Sequence, residues 1–206
     1  MLEACPNERL RLFRLDEELR AEADRMLAES GLGEIIRAEG FKPQGSYVMR
    51  TMTWRDVDFE RCQEQSDWDA HWALGRRLAA TGWPWRASCI NAYREPGSRE
   101  HGLYWGLRVR DPSKGAEAPI WKIDLWTARA GEFACQCPHR DRWQAMLTDD
   151  ARHHILKIKE AVCHLPQYRK TMLSVHVYQA VLDCGVCSLD GFMRWWQVRR
   201  ERSPGV

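Results

Sequence analysis

Two aspartates separated by a single residue, in Trp54-Arg55-Asp56-Val57-Asp58-Phe59, are the pair in this sequence best suited to chemistry. In an extended strand, residues i and i+2 share a face. Asp56 and Asp58 therefore project together, while Val57 and Phe59 face a core. Two carboxylates held side by side repel, and one takes up a proton unless a cation sits between them. A hard divalent ion with oxygen ligands suits this pattern, and Mg²⁺ is the usual occupant when phosphates complete its coordination. The same alternation recurs in Trp121-Lys122-Ile123-Asp124-Leu125-Trp126, with Trp121, Ile123 and Leu125 on the core side and Lys122, Asp124 and Trp126 on the other. If the two strands lie near each other, three carboxylates can hold two Mg²⁺ about 3.5–4 Å apart, the clamp for in-line phosphoryl or nucleotidyl displacement. Lys122 would then meet a phosphate oxygen.

Other elements must hold these strands. Apolar residues at steps of three and four, from Leu12 through Leu27, predict helix over residues 8–39, broken at Ser30-Gly31. Period-two segments after Gly40 predict strands over 41–49, 54–62, 86–94, 103–110 and 120–127, with a helix over 67–80 between the second and third. Past Arg140 the strands stop, and helices are expected over 149–165, 167–182 and 189–200, divided by Pro166 and the Cys184-Gly185 turn. This order predicts an α+β fold, a mixed sheet flanked by helices followed by a C-terminal helical bundle. The expected domains are residues 1–140 and 141–206.

Composition narrows the function classes. A chain of 206 residues with 44% hydrophobic and 29% charged residues has ordinary globular usage, enough for one sizeable core. Thirty-one Lys and Arg against 29 Asp and Glu leave a net charge of +2, which argues against binding nucleic acid through bulk electrostatics. No apolar run approaches the ~20 residues that span a bilayer, and the opening residues lack an apolar secretion core. The expectation is a cytoplasmic protein with no membrane partner and with most of its 8 cysteines reduced.

Gly45-Ser46, a gap of nine residues, then Asp56-Val57-Asp58-Phe59 resembles the signature of the DNA polymerase β-like nucleotidyltransferase superfamily, and Ile123-Asp124-Leu125 fits its third acidic strand. The resemblance covers roughly Phe41 to Thr127. It implies that Gly45 lets the backbone approach the β- and γ-phosphates of a nucleoside triphosphate and that Ser46 donates to one of them. It further implies that Asp56 and Asp58 bind both metal ions. Asp124 would bind the catalytic one and help deprotonate an acceptor hydroxyl. Arg50 and Arg55, in the loop between turn and acids, stand where they would neutralise phosphate charge, or they are solvated surface charges. The implied reaction is Mg²⁺-dependent transfer of a nucleoside monophosphate from ATP or another triphosphate to a hydroxyl, releasing pyrophosphate. A short chain without a large basic surface favours a small-molecule acceptor. Protein or RNA acceptors, and a non-catalytic nucleotide-binding module on the same fold, are the alternatives.

Competing sites are weaker. Cys135-Gln-Cys137-Pro-His139 with Cys163 or His164, and Cys184-Gly-Val-Cys187, have spacings that zinc uses, but a zinc site needs four converging ligands and no second Cys-x-x-Cys is present. Packing is the default for these cysteines. The Arg194–Arg202 stretch, basic with interleaved Trp, reads as a final helix whose Trp residues cap a core; stacking on single-stranded nucleic acid is its other reading.

Overall fold

The computed structural model describes residues 6–95, 101–130, 140–168 and 170–202. They divide into two compact units, one running from Glu18 to residue 130 and the other comprising residues 6–17 and 140–202. One division between the units falls inside the first helix, between Glu17 and Glu18.

That helix, α1 (Pro6–Glu29), ends where Ser30-Gly31 breaks the apolar stripe. Gly31 adopts a left-handed φ of 70°, and α2 (Leu32–Ala38) follows. Five strands then form one sheet: β1 (Lys42–Gln44), β2 (Asp56–Gln63), β3 (Pro84–Asn91), β4 (Leu103–Val109) and β5 (Trp121–Arg129), in the order β1-β2-β5-β4-β3. The β2–β5 pair is parallel and the others are antiparallel, so the sheet is mixed. Helix α3 (Gly45–Val48) follows β1, and α4 (Trp68–Ala80) joins β2 to β3.

The strand expected over 41–49 stops at Gln44. Gly45 takes φ +62°, outside the extended region, and the chain turns at once into α3, with Met49 N–H donating to Gly45 O at 3.0 Å.

One face of the sheet is the core. Val57 and Phe59 of β2, Leu103, Trp105, Leu107 and Val109 of β4, and Trp121, Ile123 and Leu125 of β5 are all buried. Helix α4, capped by Asp67 accepting from Ala70 N–H at 2.9 Å, packs on this face. The contact is built on Gly75. A Cβ there would lie 2.1 Å from Cζ2 of Trp105, whose ring is flanked by His71 (5.5 Å) and Trp72 (5.4 Å). Trp105 Nε1–H donates to His71 O at 3.0 Å, so the indole has no room to retreat. Burial pushes the His71 imidazole down to about 4.

The second unit is helical: the start of α1, then α5 (Arg140–Met146), α6 (Asp149–Val162), α7 (Ser174–Tyr178) continuing into a π-helical turn at Gln179–Asp183, and α8 (Leu189–Arg202). Ion pairs join α1 to α6. The buried Asp16 carboxylate meets Arg152 at 2.7 Å, and Glu8 meets Lys157 at 2.8 Å. The helix expected over 167–182 begins only at Ser174, because the Gln167 carbonyl gathers the N–H groups of Lys170, Thr171 and Met172 into a closed turn. Helix α5 has no counterpart in the sequence reading. On α8, Phe192 and Trp196 are buried.

Cys62 is disulfide-bonded, whereas Cys89, Cys163, Cys184 and Cys187 are free. Among the described residues, no helix is long and apolar enough to cross a membrane.

The Gly75 contact yields a stability prediction. Gly→Ala inside a helix ordinarily gains about 1 kcal/mol, but overpacking against a fixed ring costs about 1–3 kcal/mol. Gly75→Ala is expected to lower the urea midpoint of unfolding. A variant as stable as the wild type would place Trp105 elsewhere.

Candidate functional site

The face of the sheet opposite the core carries the polar alternation, and strand register arranges it as a grid. Across one row stand Asp56, Lys122, Arg108 and Arg86. The next row holds Gln44, Asp58, Asp124, Gly106 and Ser88, and the third holds Lys42, Glu60, Trp126, Tyr104 and Ile90. Asp56 and Asp58 share this face because they are two residues apart. Asp124 joins them because β5 runs parallel to β2 with Asp124 paired to Asp58.

Carboxylate oxygens of Asp56, Asp58 and Asp124 all lie within 4.8 Å of one another. Among the described residues, no other group of three His, Cys, Asp or Glu side chains offers ligand atoms so close together. Lys122 partly offsets the repulsion. Its Nζ lies 2.5 Å from Asp124 Oδ2 and 3.2 Å from Asp56 Oδ1. Neutral donors complete the surroundings, Tyr104 O–H to Asp124 Oδ1 at 2.9 Å and Trp54 Nε1–H to Asp56 Oδ2 at 3.2 Å.

The electrostatics remain unbalanced, with three carboxylates against one ammonium in a half-buried setting. Burial pushes the Asp124 carboxyl above the ordinary carboxylate value; Lys122 opposes this, and the Asp56 charge adds to it. Burial also works against the Lys122 charge, but Asp56 and Asp124 outweigh it and hold the ammonium above the ordinary lysine value. Burial and the Asp124 charge push the Tyr104 phenol far up, so it stays a donor. Among the described residues, the buried Asp56 Oδ1 accepts no hydrogen bond and has the Lys122 ammonium at 3.2 Å as its charge partner. Three carboxylates against that one ammonium leave a net-negative set of oxygen donors, which fits a hard divalent cation.

The Gly45-Ser46 turn reaches the same place. A Cβ on Gly45 would fall 2.6 Å from Asp58 Oδ2, so the glycine lets the turn close onto the carboxylate. Ser46 follows in α3, which is tied to α1 by the Tyr47 hydroxyl donating to Asp24. The other sequence candidates diverge. Arg55 is not brought to the carboxylates: it holds Glu22 of α1 through Nε at 2.7 Å and a second guanidinium nitrogen at 2.9 Å, and Glu22 also accepts from the core residue Trp121. Arg50 is exposed with φ 53° in the loop after α3. Cys184 and Cys187 are exposed free thiols, while Cys135 and Cys137 lie outside the described residues.

Gly106 and Arg108 escaped the sequence reading as site residues, and Tyr104, which with Trp105 reads from sequence as acceptor-pocket lining or sheet packing, is placed instead against Asp124. The Tyr104 ring lies over Gly106, where a Cβ would meet its hydroxyl oxygen at 2.2 Å, and this lets the phenol reach Asp124. The signal was present as alternation in Leu103-Tyr104-Trp105-Gly106-Leu107-Arg108-Val109, but only the register shows what that face adjoins.

Neither protein-family models nor curated proteins give a match to this chain.

Two outcomes follow from this geometry. An L-residue in left-handed backbone costs about 1–2 kcal/mol, and at Gly45 its Cβ also displaces the Asp58 carboxylate. Gly45→Ala is therefore expected to lower the melting temperature and to abolish any Mg²⁺-induced thermal shift. A wild-type shift in that variant would separate the turn from the cluster. The second concerns pH. A carboxyl with raised proton affinity in the fold stabilises it below the unfolded pKa, and that contribution is lost as pH rises through the folded pKa. Without a cation, Asp124 thus weighs against the fold at neutral pH. In metal-free buffer the urea midpoint of Asp124→Asn, relative to wild type, should rise between about pH 3 and about pH 7. A flat or falling difference would contradict the raised Asp124 pKa.

Proposed function

We propose that this protein is a metal-dependent nucleotidyltransferase, moving a nucleoside monophosphate from ATP or another triphosphate to a hydroxyl of a small-molecule acceptor and releasing pyrophosphate. The observation that carries this reading is the convergence of Asp56, Asp58 and Asp124 within 4.8 Å, with the Gly45 turn against Asp58. In this reading the mixed sheet is a nucleotidyltransferase-like core and the C-terminal helices are its appended bundle.

Asp56, Asp58 and Asp124 would hold the Mg²⁺ ions, which when bound supply charge neutralisation for the phosphates and acidify the acceptor hydroxyl. The chain itself does the rest. Gly45 presents bare backbone where a side chain would exclude a phosphate, and the Ser46 hydroxyl donates to a phosphate oxygen. Lys122, now shared between Asp56 and Asp124, turns its ammonium to the phosphates. Tyr104 fixes the Asp124 carboxylate through Oδ1. Asp124, whose burial strengthens its hold on a proton, takes the hydroxyl proton.

The Lys122 ion pairs favour one alternative, a nucleotide-binding module without turnover in which the ammonium permanently supplies part of the cation charge.

Calorimetry of ATP binding with and without Mg²⁺ tests the site. Wild type is expected to bind ATP only with Mg²⁺, and Asp56→Asn combined with Asp58→Asn to weaken that binding by more than about tenfold. No nucleotide binding by wild type, or Mg²⁺-dependent binding that survives the double substitution, would overturn the proposal. Pyrophosphate release in the presence of a hydroxyl acceptor separates turnover from mere binding.

A further inference from the structure

The row of the grid that begins at Asp56 and Lys122 continues with two arginines. Arg108 of β4 is the direct cross-strand neighbour of Lys122, and Arg86 of β3 is the direct neighbour of Arg108. Adjacent strands lie ~4.8 Å apart, so the two guanidinium stems rise about one and two strand spacings from Lys122, on the same face as the carboxylates. Opposite-facing neighbours confirm the side: Leu107 and Val109, flanking Arg108, are buried in the core.

Among the described residues no carboxylate pairs with Arg86 or Arg108, and the hydrogen bond Arg108 makes is to the neighbouring Leu107 carbonyl at 3.3 Å. Several other arginines are held in close ion pairs: Arg55 with Glu22, Arg61 with Glu39, Arg152 with Asp16 and Arg142 with Asp183. Like charges directly opposite across a strand pair are destabilising. Two arginines placed so, beside the exposed Ser88, form the mirror image of the carboxylate cluster, and an anion relieves their repulsion. Guanidinium forks match phosphate oxygens in geometry.

Their position decides which phosphate. Gly45-Ser46 lies beyond β2 at one side of the carboxylates, and Arg108 and Arg86 lie beyond β5 at the other. In-line displacement places entering and leaving oxygens on opposite sides of the phosphorus. We infer that Arg86 and Arg108 form an acceptor subsite, and that the acceptor is a hydroxyl compound carrying a phosphate ester. This rests on the nucleotidyl-transfer reading, in which the turn takes the departing diphosphate. The acceptor oxygen forms a bond to the α-phosphorus and gives its proton to Asp124. The bond from the α-phosphorus to the bridging oxygen breaks, and pyrophosphate leaves with that electron pair. The acceptor's own phosphate stays intact against the arginines.

The test uses the full chain and two titrations, inorganic phosphate in metal-free buffer and Mg²⁺·ATP, each followed by calorimetry. Arg86→Gln combined with Arg108→Gln is expected to weaken phosphate binding by at least about tenfold and to leave Mg²⁺·ATP affinity unchanged. Asp56→Asn combined with Asp58→Asn is expected to do the reverse. Arg86→Gln alone, at an exposed position, provides a variant that keeps the fold and still weakens phosphate. Phosphate binding by the arginine variants equal to wild type would overturn the subsite. A parallel loss of Mg²⁺·ATP affinity would overturn the acceptor assignment and give the arginines to the triphosphate. Failure of wild type to bind Mg²⁺·ATP would overturn the transfer reading and the acceptor assignment with it. The phosphate titration would still decide the anion subsite.

Discussion

Everything on the polar face depends on holding like charges together. Asp58 and Asp124 face each other across a parallel strand pair, Asp56 is two residues away, and one lysine separates them. Cross-strand pairs of like charge weaken a sheet, so something else must fix this register. The buried face does. Val57 opposite Ile123 and Ile123 opposite Leu107 align fully buried side chains in adjacent strands. A slip of β5 by one residue against its neighbours would send Asp124 into the core and Ile123 and Leu125 into water. The hydrophobic face thus imposes a juxtaposition that electrostatics alone would reject.

The same geometry explains how much the sequence disclosed. Alternation is a local property, so the sides taken by Asp56, Asp58, Lys122, Asp124, Trp121 and Trp126 follow from their order along the chain. Register is non-local. Nothing in residues 54–59 or 120–127 requires the two strands to be neighbours, and nothing near Arg55 reveals that Glu22 of α1 will take its guanidinium. Arg55 has the parity of Val57, which already sets it against the carboxylate face; reading the motif by proximity along the chain obscured that. Tyr104 and Arg108 are further cases, since their alternation was visible while their adjacency to Asp124 and Lys122 was not. The Gly45 turn misled in the opposite way. Its flanks alternate like a strand, but one positive φ converts the segment to a helical turn, and a glycine's backbone choice cannot be read from its neighbours' hydropathy.

Of the 11 tryptophans conspicuous in composition, four divide between the core and the carboxylate side of the sheet. Trp105 and Trp121 fill the core, and each satisfies its indole N–H without leaving it, at the His71 carbonyl and at Glu22. Trp54 and Trp126 stand on the carboxylate side. Trp54 donates to Asp56, and Trp126 packs against Tyr104 with ring centroids 4.8 Å apart. An indole is suited to both places because it offers a large apolar surface and a single donor. Against an anion the donor is useful and the absence of an acceptor costs nothing.

Charge across the polar face therefore has a direction. It begins with the aspartates of β2 and β5, passes through Lys122, and ends with the arginines of β4 and β3. Lys122 neutralises part of this gradient by bridging Asp56 and Asp124, while strand pairing sets Arg108 and Arg86 one and two strands further from the carboxylates. In the nucleotidyl-transfer reading, divalent cations at the carboxylate end and the acceptor's phosphate at the arginine end would cancel both excesses at once.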